Sequence, residues 1–521
     1  MNTQRKLYHL LLLVLLASAC QPIQAPTASG VPAKARYTPH YEPSTCEYEM
    51  AEGDNVECGY LLVPEDRNNP DGTTIRVHIL KFKAKSATPA PDPVILVPGG
   101  PGATMLFYVW MMSESPLGTA LRTDRDILII ENRGSNMSEP AFYCPELEAD
   151  VAELAGLSMK EEIEWSAIAL QECHARLTQE GHNLLLYGPL ATAADIADLR
   201  LALGYHEVNV YGISWGTILT FYLLRDQPEG IRSAIIDGPM SPEINQAVNG
   251  LQIANHVLAA VFQSCADDTT CQAAYPDLEA VFYETLARLR NEPVTVTVQD
   301  EAGQSYEVTI DDVKFANYVF GLGLFGGDFA RMPAGMMAIH NNDTESVAQG
   351  WLGFLAGRHG ETGPGTWSST SGILYTDFCM QERATGNVAD AIAAYSSVES
   401  VPSLRDWATL YFIEDFFGHC DYWSDTPSPE SGLGKPVASN VPTLMLVSKF
   451  DQFTPPYFTD AAIDRFSQGY RVELPLSHVV ALDSCGAALI AQFVADPTQA
   501  PADSCIDEMQ ADWVLPAAHG Q

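Results

Sequence analysis

Residues Gly212-Ile213-Ser214-Trp215-Gly216 constrain this chain more than any other stretch. An apolar run, Val208-Asn209-Val210-Tyr211, precedes them, and a helix-like run from Thr217 to Arg225 follows. A serine with glycine at both second neighbours, between strand and helix, is the pattern of a nucleophile elbow. The turn is sharp, so the side chains around the serine must be small. The serine oxygen then stands above the sheet edge, and the helix N-terminus beneath it favours the negative charge that develops during attack. In a chain with 38 glycines the pentapeptide alone can arise by chance, so partner residues in the right order must decide.

The surroundings supply an open, mostly parallel α/β sheet. Cys58 to Val63 and Thr74 to Phe82 read as strands joined by a polar turn through Asn68-Asn69-Pro70-Asp71-Gly72. Val94 to Val97 and Ile127 to Ile130 are wholly apolar, as strands buried on both faces are. A helical pattern from Thr192 to Leu203 leads to the elbow, and Ala234-Ile235-Ile236 leads to Asp237. The alternation stops after Pro239. Mostly helical patterns, one β-like excursion from Val294 to Ile310 and the glycine-rich run Phe320 to Gly327 fill the chain to about Lys435. Strands return at Thr443 to Val447 and Arg471 to Leu474, so a helical insertion interrupts one α/β domain.

A serine hydroxyl needs a base within hydrogen-bond reach, and the base needs an orienting acid. In this sheet type both follow later strands, acid first. Asp451 fits the first slot, after the strand at Thr443 and before the loop Gln452-Phe453-Thr454-Pro455-Pro456. His478 fits the second, between the strand ending at Leu474 and a last helix from Cys485 to Val494. Taken singly, an aspartate there is a loop or capping residue and a histidine is a surface residue; the order Ser, Asp, His is what points to catalysis. Pro98-Gly99-Gly100-Pro101-Gly102 ends a central strand, where backbone amides can approach a bound carbonyl. The expected oxyanion donors are the N–H groups of Gly100 and Trp215.

The rest of the chain bears on compartment and partners. Lys and Arg total 28 against 66 Asp and Glu, a formal net charge of −38. Such a surface repels nucleic acid and anionic headgroups, which excludes both as expected partners. Arg5 and Lys6, then an apolar run from Leu7 to Leu16 too short to span a bilayer, read as an export signal over residues 1–19. Ala17-Ser18-Ala19-Cys20 resembles a bacterial lipobox, with Cys20 lipidated; ordinary cleavage after Ala19 is the alternative. A flexible linker rich in Pro, Ala, Thr and Ser is expected over residues 20–45. Of 11 cysteines, ten remain beyond Cys20, an even number in an oxidising compartment. They fall into neighbouring pairs: Cys46 with Cys58, Cys144 with Cys173, Cys265 with Cys271, Cys379 with Cys420, and Cys485 with Cys505, though sequence leaves the connectivity open. No Cys-x-x-Cys or zinc spacing occurs, and no metal or organic cofactor is expected.

These residues resemble the proline iminopeptidase and tripeptidyl aminopeptidase group of α/β-hydrolases, the secreted branch with a TAP-like C-terminal region (peptidase S33). The resemblance rests on Cys58-Gly59-Tyr60-Leu61-Leu62-Val63-Pro64, Gly99-Gly100-Pro101-Gly102, Arg133-Gly134, the elbow, Asp451 with Thr454-Pro455, His478, and Cys485 and Cys505 around Phe493 and Pro497. It departs where Pro98 replaces a histidine, where Glu131-Asn132-Arg133-Gly134 stands for Asp-Gln-Arg-Gly, and where Ser477 and Val479 flank His478. It implies an α/β-hydrolase core over 46–239, a helical cap over 240–436 inserted after the strand ending near Asp237, and a returning core over 437–521. It also implies release of N-terminal residues or short peptides through an acyl-enzyme, with peptides bearing a free N-terminus as substrates. In relatives a cap glutamate near a cysteine holds the substrate's α-ammonium group, and Glu382 in Cys379-Met380-Gln381-Glu382 occupies that place. The expected location is the bacterial cell envelope, attached only through the Cys20 lipid, or else secretion in soluble form. A carboxylesterase or lipase-like hydrolase on the same scaffold, and a non-catalytic binding lipoprotein, are the competing readings.

Overall fold

Two four-residue runs with no polar side chain, β4 (Val94–Val97) and β5 (Ile127–Ile130), lie fully buried at the centre of a nine-stranded sheet. The computed structural model describes residues 37–51, 53–300, 303–361, 370–423 and 431–516. The expected leader, Cys20 and most of the linker lie outside them, and everything below belongs to the unit Pro39–Gln521.

The remaining strands of this sheet are β1 (His40–Ser44), β2 (Val56–Pro64), β3 (Thr74–Phe82), β6 (Val208–Ile213), β7 (Ile231–Asp237), β10 (Thr443–Ser448) and β11 (Gly469–Leu474). They are ordered β1-β2-β3-β5-β4-β6-β7-β10-β11. The pairs from β1 to β5 are antiparallel, and the six strands from β5 to β11 are parallel. Register places Val97 beside Gly212, Ile213 beside Asp237 and Asp237 beside Leu446. The chain therefore leaves β4, β6, β7 and β10 along one edge, at the carboxyl ends where open α/β sheets bind ligands. One face of the sheet packs its Leu96, Ile129, Tyr211 and Leu446 with side chains of the helices Met105–Glu114 and Ser484–Ala495.

The linker expectation to residue 45 is corrected by β1. His40–Ser44 pairs along β2, with Pro43 opposite Gly59. Proline is tolerated because β1 is an edge strand. Tyr41 lies so close over Gly59 that a Cβ there would stand 2.4 Å from the phenol oxygen.

Between β7 and β10 the chain forms helices including Gln246–Asp267, Asp312–Leu322, Thr344–His359 and Ser371–Glu382, and one hairpin, β8 (Val294–Gln299) with β9 (Ser305–Ile310). These elements have an apolar core of their own around Val257, Phe282, Phe315, Trp351 and Phe412. Leu154, Met159 and Ile163 belong to that same cluster, although the sequence reading counted them with the first part of the α/β core. The reason is a buried ionic junction. Glu162, on the Met159–Gln179 helix, accepts from Arg358 Nε at 2.8 Å and meets His359 Nε2 at 2.6 Å. Arg358 also pairs with buried Asp415.

Ten cysteines form five disulfides, each between the neighbours in sequence: 46–58, 144–173, 265–271, 379–420 and 485–505. Five disulfides indicate folding in an oxidising compartment, hence export. No helix among the described residues is long and apolar enough to cross a membrane. The Cys379–Cys420 bond closes a separation of 41 residues. Its removal by Cys379→Ser with Cys420→Ser should lower the unfolding free energy by about 4 kcal/mol on the chain-entropy estimate. Denaturant titration of the double variant measures this, and a loss below about 1 kcal/mol contradicts it.

Candidate active site

The elbow forms because glycine permits two close approaches. A Cβ on Gly212 would stand 2.4 Å from Thr220 Oγ1, and one on Gly216 would stand 2.2 Å from the Val97 carbonyl oxygen. With those contacts free of side chains, β6 turns directly into the Trp215–Asp226 helix. Ser214 takes φ 53°, ψ −121°, a conformation an L-residue adopts only under constraint. Its amide donates to the Asp237 carbonyl at 2.8 Å, and its carbonyl accepts from the Thr217 amide at 2.9 Å. Its side chain does not cap the helix it precedes, which leaves Oγ to chemistry.

The glycine turn after β4 lies against this serine, since a Cβ on Gly99 would stand 2.9 Å from Ser214 Cβ. The Gly99 amide donates to the Tyr108 hydroxyl at 2.6 Å, which ties the turn to the Met105–Glu114 helix. Burial pushes the Tyr108 phenol well above its ordinary pKa, so it stays neutral. Gly100 has φ +113°, a value that favours glycine. Gly100 and Trp215, the expected oxyanion donors, thus sit on the turn and the helix start that flank Ser214.

Asp451 and His478 meet directly. His478 Nδ1 and Asp451 Oδ2 are 2.7 Å apart, and both side chains are buried. The same carboxylate accepts from the amides of Phe453 at 2.8 Å and Thr454 at 2.9 Å, and from Thr454 Oγ1 at 2.7 Å. Burial opposes its charge, but the imidazole and these donors outweigh it and hold Asp451 below the usual carboxylate range. Burial likewise opposes an imidazolium at His478. The Asp451 charge and hydrogen bond outweigh that, Asp237 adds to them, and the pKa is raised. His478 Nε2 is buried with no hydrogen-bond partner among the described residues. The ring lies over Gly238, where a Cβ would stand 2.6 Å from Cε1, and Gly238 follows the residue whose carbonyl holds the Ser214 amide.

Two supports of the histidine have no local signature in sequence. Asp237 accepts from Val480 N at 3.0 Å, Ala481 N at 3.2 Å and Tyr211 Oη at 2.7 Å, and so fastens the turn after His478. Val479 within that turn has φ 65°, strained for a β-branched residue. The insertion clamps the other side: His478 N donates to Leu324 O at 3.2 Å, Gly326 N to His478 O at 3.0 Å, and Ser477 N to Gly326 O at 2.6 Å.

Glu382 ends the Ser371–Glu382 helix, and its Oε1 has no hydrogen-bond partner among the described residues. It is fully buried, and its Oε2 accepts from the Ala247 amide at 3.2 Å, at the start of the Gln246–Asp267 helix. Burial pushes its pKa up to about 7. The carboxyl that reaches the elbow is Asp377, earlier on the same Ser371–Glu382 helix and absent from the sequence candidates. It accepts from Asn132 Nδ2 at 3.2 Å, and Trp215 Nε1 faces it without reaching hydrogen-bond geometry. Its Oδ1 has no hydrogen-bond partner among the described residues, and burial raises its pKa well above the ordinary value. Among the described residues the cluster with metal-ligand spacing is Cys144, Glu146 and Cys173, and its two sulfurs are joined in a disulfide. Cys20 lies outside the described residues.

Comparison with known proteins bears on the scaffold. The family model for the alpha/beta hydrolase fold matches residues 92–310. The serine protease Hip1 of Mycobacterium tuberculosis is 26% identical over 240 residues, 43% of this chain and 44% of its own length. A tripeptidyl aminopeptidase of Streptomyces coelicolor is 25% identical over 193 residues, 36% of each chain. The chain thus matches less than half the length of these curated relatives. A solved proline iminopeptidase of Mycobacterium smegmatis aligns with 84% of this chain and 98% of its own at 14% identity, with a TM-score of 0.35. The strand order, the elbow and the family match give this chain the α/β-hydrolase fold, a hydrolase scaffold whose curated relatives carry peptidase names.

The Asp451–His478 pair sets a pH prediction. A histidine base must be neutral to take a proton, so a raised pKa moves the acid limb of kcat/KM above the ordinary histidine value near 6.5. Asp451→Asn removes the charge that raises it. The limb should move to lower pH while kcat/KM falls by about 10⁴. Profiles of both proteins on one chromogenic substrate decide it, and an unmoved limb contradicts the assignment.

Proposed function

We propose that this protein is an exported serine aminopeptidase that releases N-terminal residues or short N-terminal peptides through an acyl-enzyme. The observation that carries the reading is the buried Asp451–His478 hydrogen bond of 2.7 Å on the sheet edge where the Ser214 elbow emerges. Ser214 Oγ attacks the scissile carbonyl and His478 Nε2 takes its proton. The oxyanion forms against the amides of Gly100 and Trp215, each worth about 3–4 kcal/mol of transition-state stabilisation. His478 then gives the proton to the departing amine. Water repeats the sequence on the ester and frees the acid. Asp451 holds the imidazole in the tautomer with Nε2 open and stabilises its charged form.

The aminopeptidase part rests on Asp377. A buried carboxyl with one unpartnered oxygen, beside the residue that follows the nucleophile, suits a substrate ammonium. Such a carboxyl is neutral while empty-handed and gives up its proton when a cation neutralises the site. Glu382, the position carried over from relatives, instead holds the start of the Gln246–Asp267 helix in this reading.

A panel of peptide anilides with free and acetylated N-termini tests the proposal. Free forms should be cleaved at least 100-fold faster, and Asp377→Asn should shrink that ratio toward one while Ser214→Ala abolishes both activity and fluorophosphonate labelling. Equal cleavage of free and acetylated substrates defeats the aminopeptidase reading, and activity confined to acyl esters defeats it in favour of an esterase. Labelling that is the same with and without Ser214 defeats the enzyme reading in favour of a binding lipoprotein.

The proposed location includes the lipid anchor. Ten of the 11 cysteines are in disulfides, which leaves Cys20, behind its small-residue run, without a partner in the chain. Cys20→Ala should move the protein from the membrane fraction to the soluble fraction on cell fractionation. Retention on the membrane contradicts lipidation.

A further inference from the structure

The insertion holds a cleft of about 350 Å³ that none of the catalytic roles above uses. That volume lies in the range of small-ligand sites, about 300–1,000 Å³. Its walls are mainly aromatic and aliphatic: Phe320 stacks on Trp407 at 4.2 Å, and Phe412, Leu322, Leu324 and Phe453 complete them. Its amides are already engaged, Gln452 Nε2 with Phe320 O at 2.9 Å and Asn317 Oδ1 with Trp407 Nε1 at 3.4 Å. None of the described residues lining it is charged, in a chain whose net charge is −38. A cleft from which charge is excluded against such a background takes an uncharged, apolar group.

Two wall residues also touch the catalytic base. The Phe453 ring meets the His478 imidazole edge-on at 5.1 Å between centroids. Leu324 accepts the His478 amide at 3.2 Å. The cleft therefore begins one side chain away from the imidazole. His478 must hand its proton to the leaving atom, so the departing fragment lies against this ring, whereas Asp377 lies with Trp215 and Asn132.

From this we propose that the cleft is the leaving-side subsite: it receives a bulky apolar side chain, aromatic or long aliphatic, from the first residue after the scissile bond. The proposal rests on the acyl-transfer reading of Ser214 and His478 and adds which fragment the insertion selects. Bond making and breaking are unchanged by it. The side chain in the cleft fixes the leaving nitrogen beside Nε2 in the acylation step and departs with the amine, so the acyl-enzyme that remains no longer feels it.

Two glycines make the test clean. Gly321 and Gly353 line the cleft from different helices, both are exposed, and a Cβ on either meets no atom within 4 Å. Neither has a positive φ. Gly321→Phe and Gly353→Leu should each fill the cleft with little loss of thermal stability, and each serves as a check on the other. The substrates share one acyl residue and differ in the first leaving-side residue: Gly, Ala, Leu or Phe. The parent protein should cleave the Leu and Phe members faster than the Ala member by roughly tenfold or more in kcat/KM. Both variants should lose that gain, keep the Gly and Ala rates within about twofold, and leave the deacylation rate of the shared acyl-enzyme unchanged. The proposal is overturned by a parent with no preference for Leu or Phe, by folded variants that keep it, or by variants that slow deacylation, which would put the cleft on the acyl side. Running the series with free and with acetylated N-termini separates the two readings. Loss of the free-over-acetylated ratio sinks the aminopeptidase claim alone, and loss of the leaving-side preference sinks the subsite alone. A chain that forms no acyl-enzyme with any member overturns both.

Discussion

The reversal of the backbone at Ser214 is the constraint on which the rest of this structure depends. A non-glycine residue at φ 53° stores roughly 1–3 kcal/mol of strain, and neighbouring contacts must hold it there. They come from the ends of the two neighbouring strands, β4 and β7. Gly216 nests on the Val97 carbonyl of β4, Ser214 N is held by the Asp237 carbonyl of β7, and Gly99 closes over the serine from above. Each requires its neighbour to be in register, so the parallel pairing of β4, β6 and β7 and the elbow enforce one another. The strain keeps Oγ off the helix it would otherwise cap and available for attack.

A second demand arises at the histidine. One imidazole lies near two buried carboxyls, and the two serve different ends. Asp451 is saturated with donors and stays ionised against its burial. Asp237 is pushed up by burial even though Tyr211 and two amides donate to it. Asp451 bonds Nδ1 directly, while Asp237 fixes the turn at Val480 and Ala481. The Leu324–Gly326 segment grips Ser477 and His478 from the insertion by three backbone bonds. The insertion therefore helps to fix where the His478 ring stands.

What was legible in the sequence follows from how local each signal is. Runs such as Val94–Val97 and Ile127–Ile130 need only their own residues to announce a strand buried on both faces. The elbow announces itself by two glycines within five residues, and Ser214, Asp451 and His478 by their order along strand ends. Asp377 gave no such signal. Its meaning comes from Asn132, 245 positions away in sequence, and from the ring of Trp215. Tyr108 and the Leu324–Gly326 clamp are likewise defined by partners on other elements. Residues 40–44 looked like linker because proline and polar residues outweigh apolar ones there, and only the edge of β2 makes them a strand. The Met159–Gln179 helix lies within residues 46–239, yet its Met159 and Ile163 pack with the insertion and its Glu162 pairs with Arg358, contacts that no local pattern announces.

The Ser371–Glu382 helix shows how one element can carry several of these long-range duties. Just before its start, Thr370 N donates to Gly102 O at 2.9 Å, and on the helix Ile373 crowds Gly102, so it braces the oxyanion turn. Asp377 then faces the Trp215 ring, Cys379 ties the helix to Cys420, and Gln381 accepts from Tyr222 Oη at 2.5 Å. Glu382 ends it against the amides that open the Gln246–Asp267 helix. Two buried carboxyls on one helix thus differ by what they face. Glu382 has backbone donors and a helix start to answer its charge, whereas Asp377 has one side-chain amide, and each keeps one oxygen without a partner among the described residues. A carboxyl left in that condition is tolerated only where a cation can meet it or where it stays protonated. Because the same helix braces the oxyanion turn, any cation drawn to Asp377 would be held on the element that also sets the position of the oxyanion donors. Recognition of the substrate and stabilisation of its transition state would then share one rigid support.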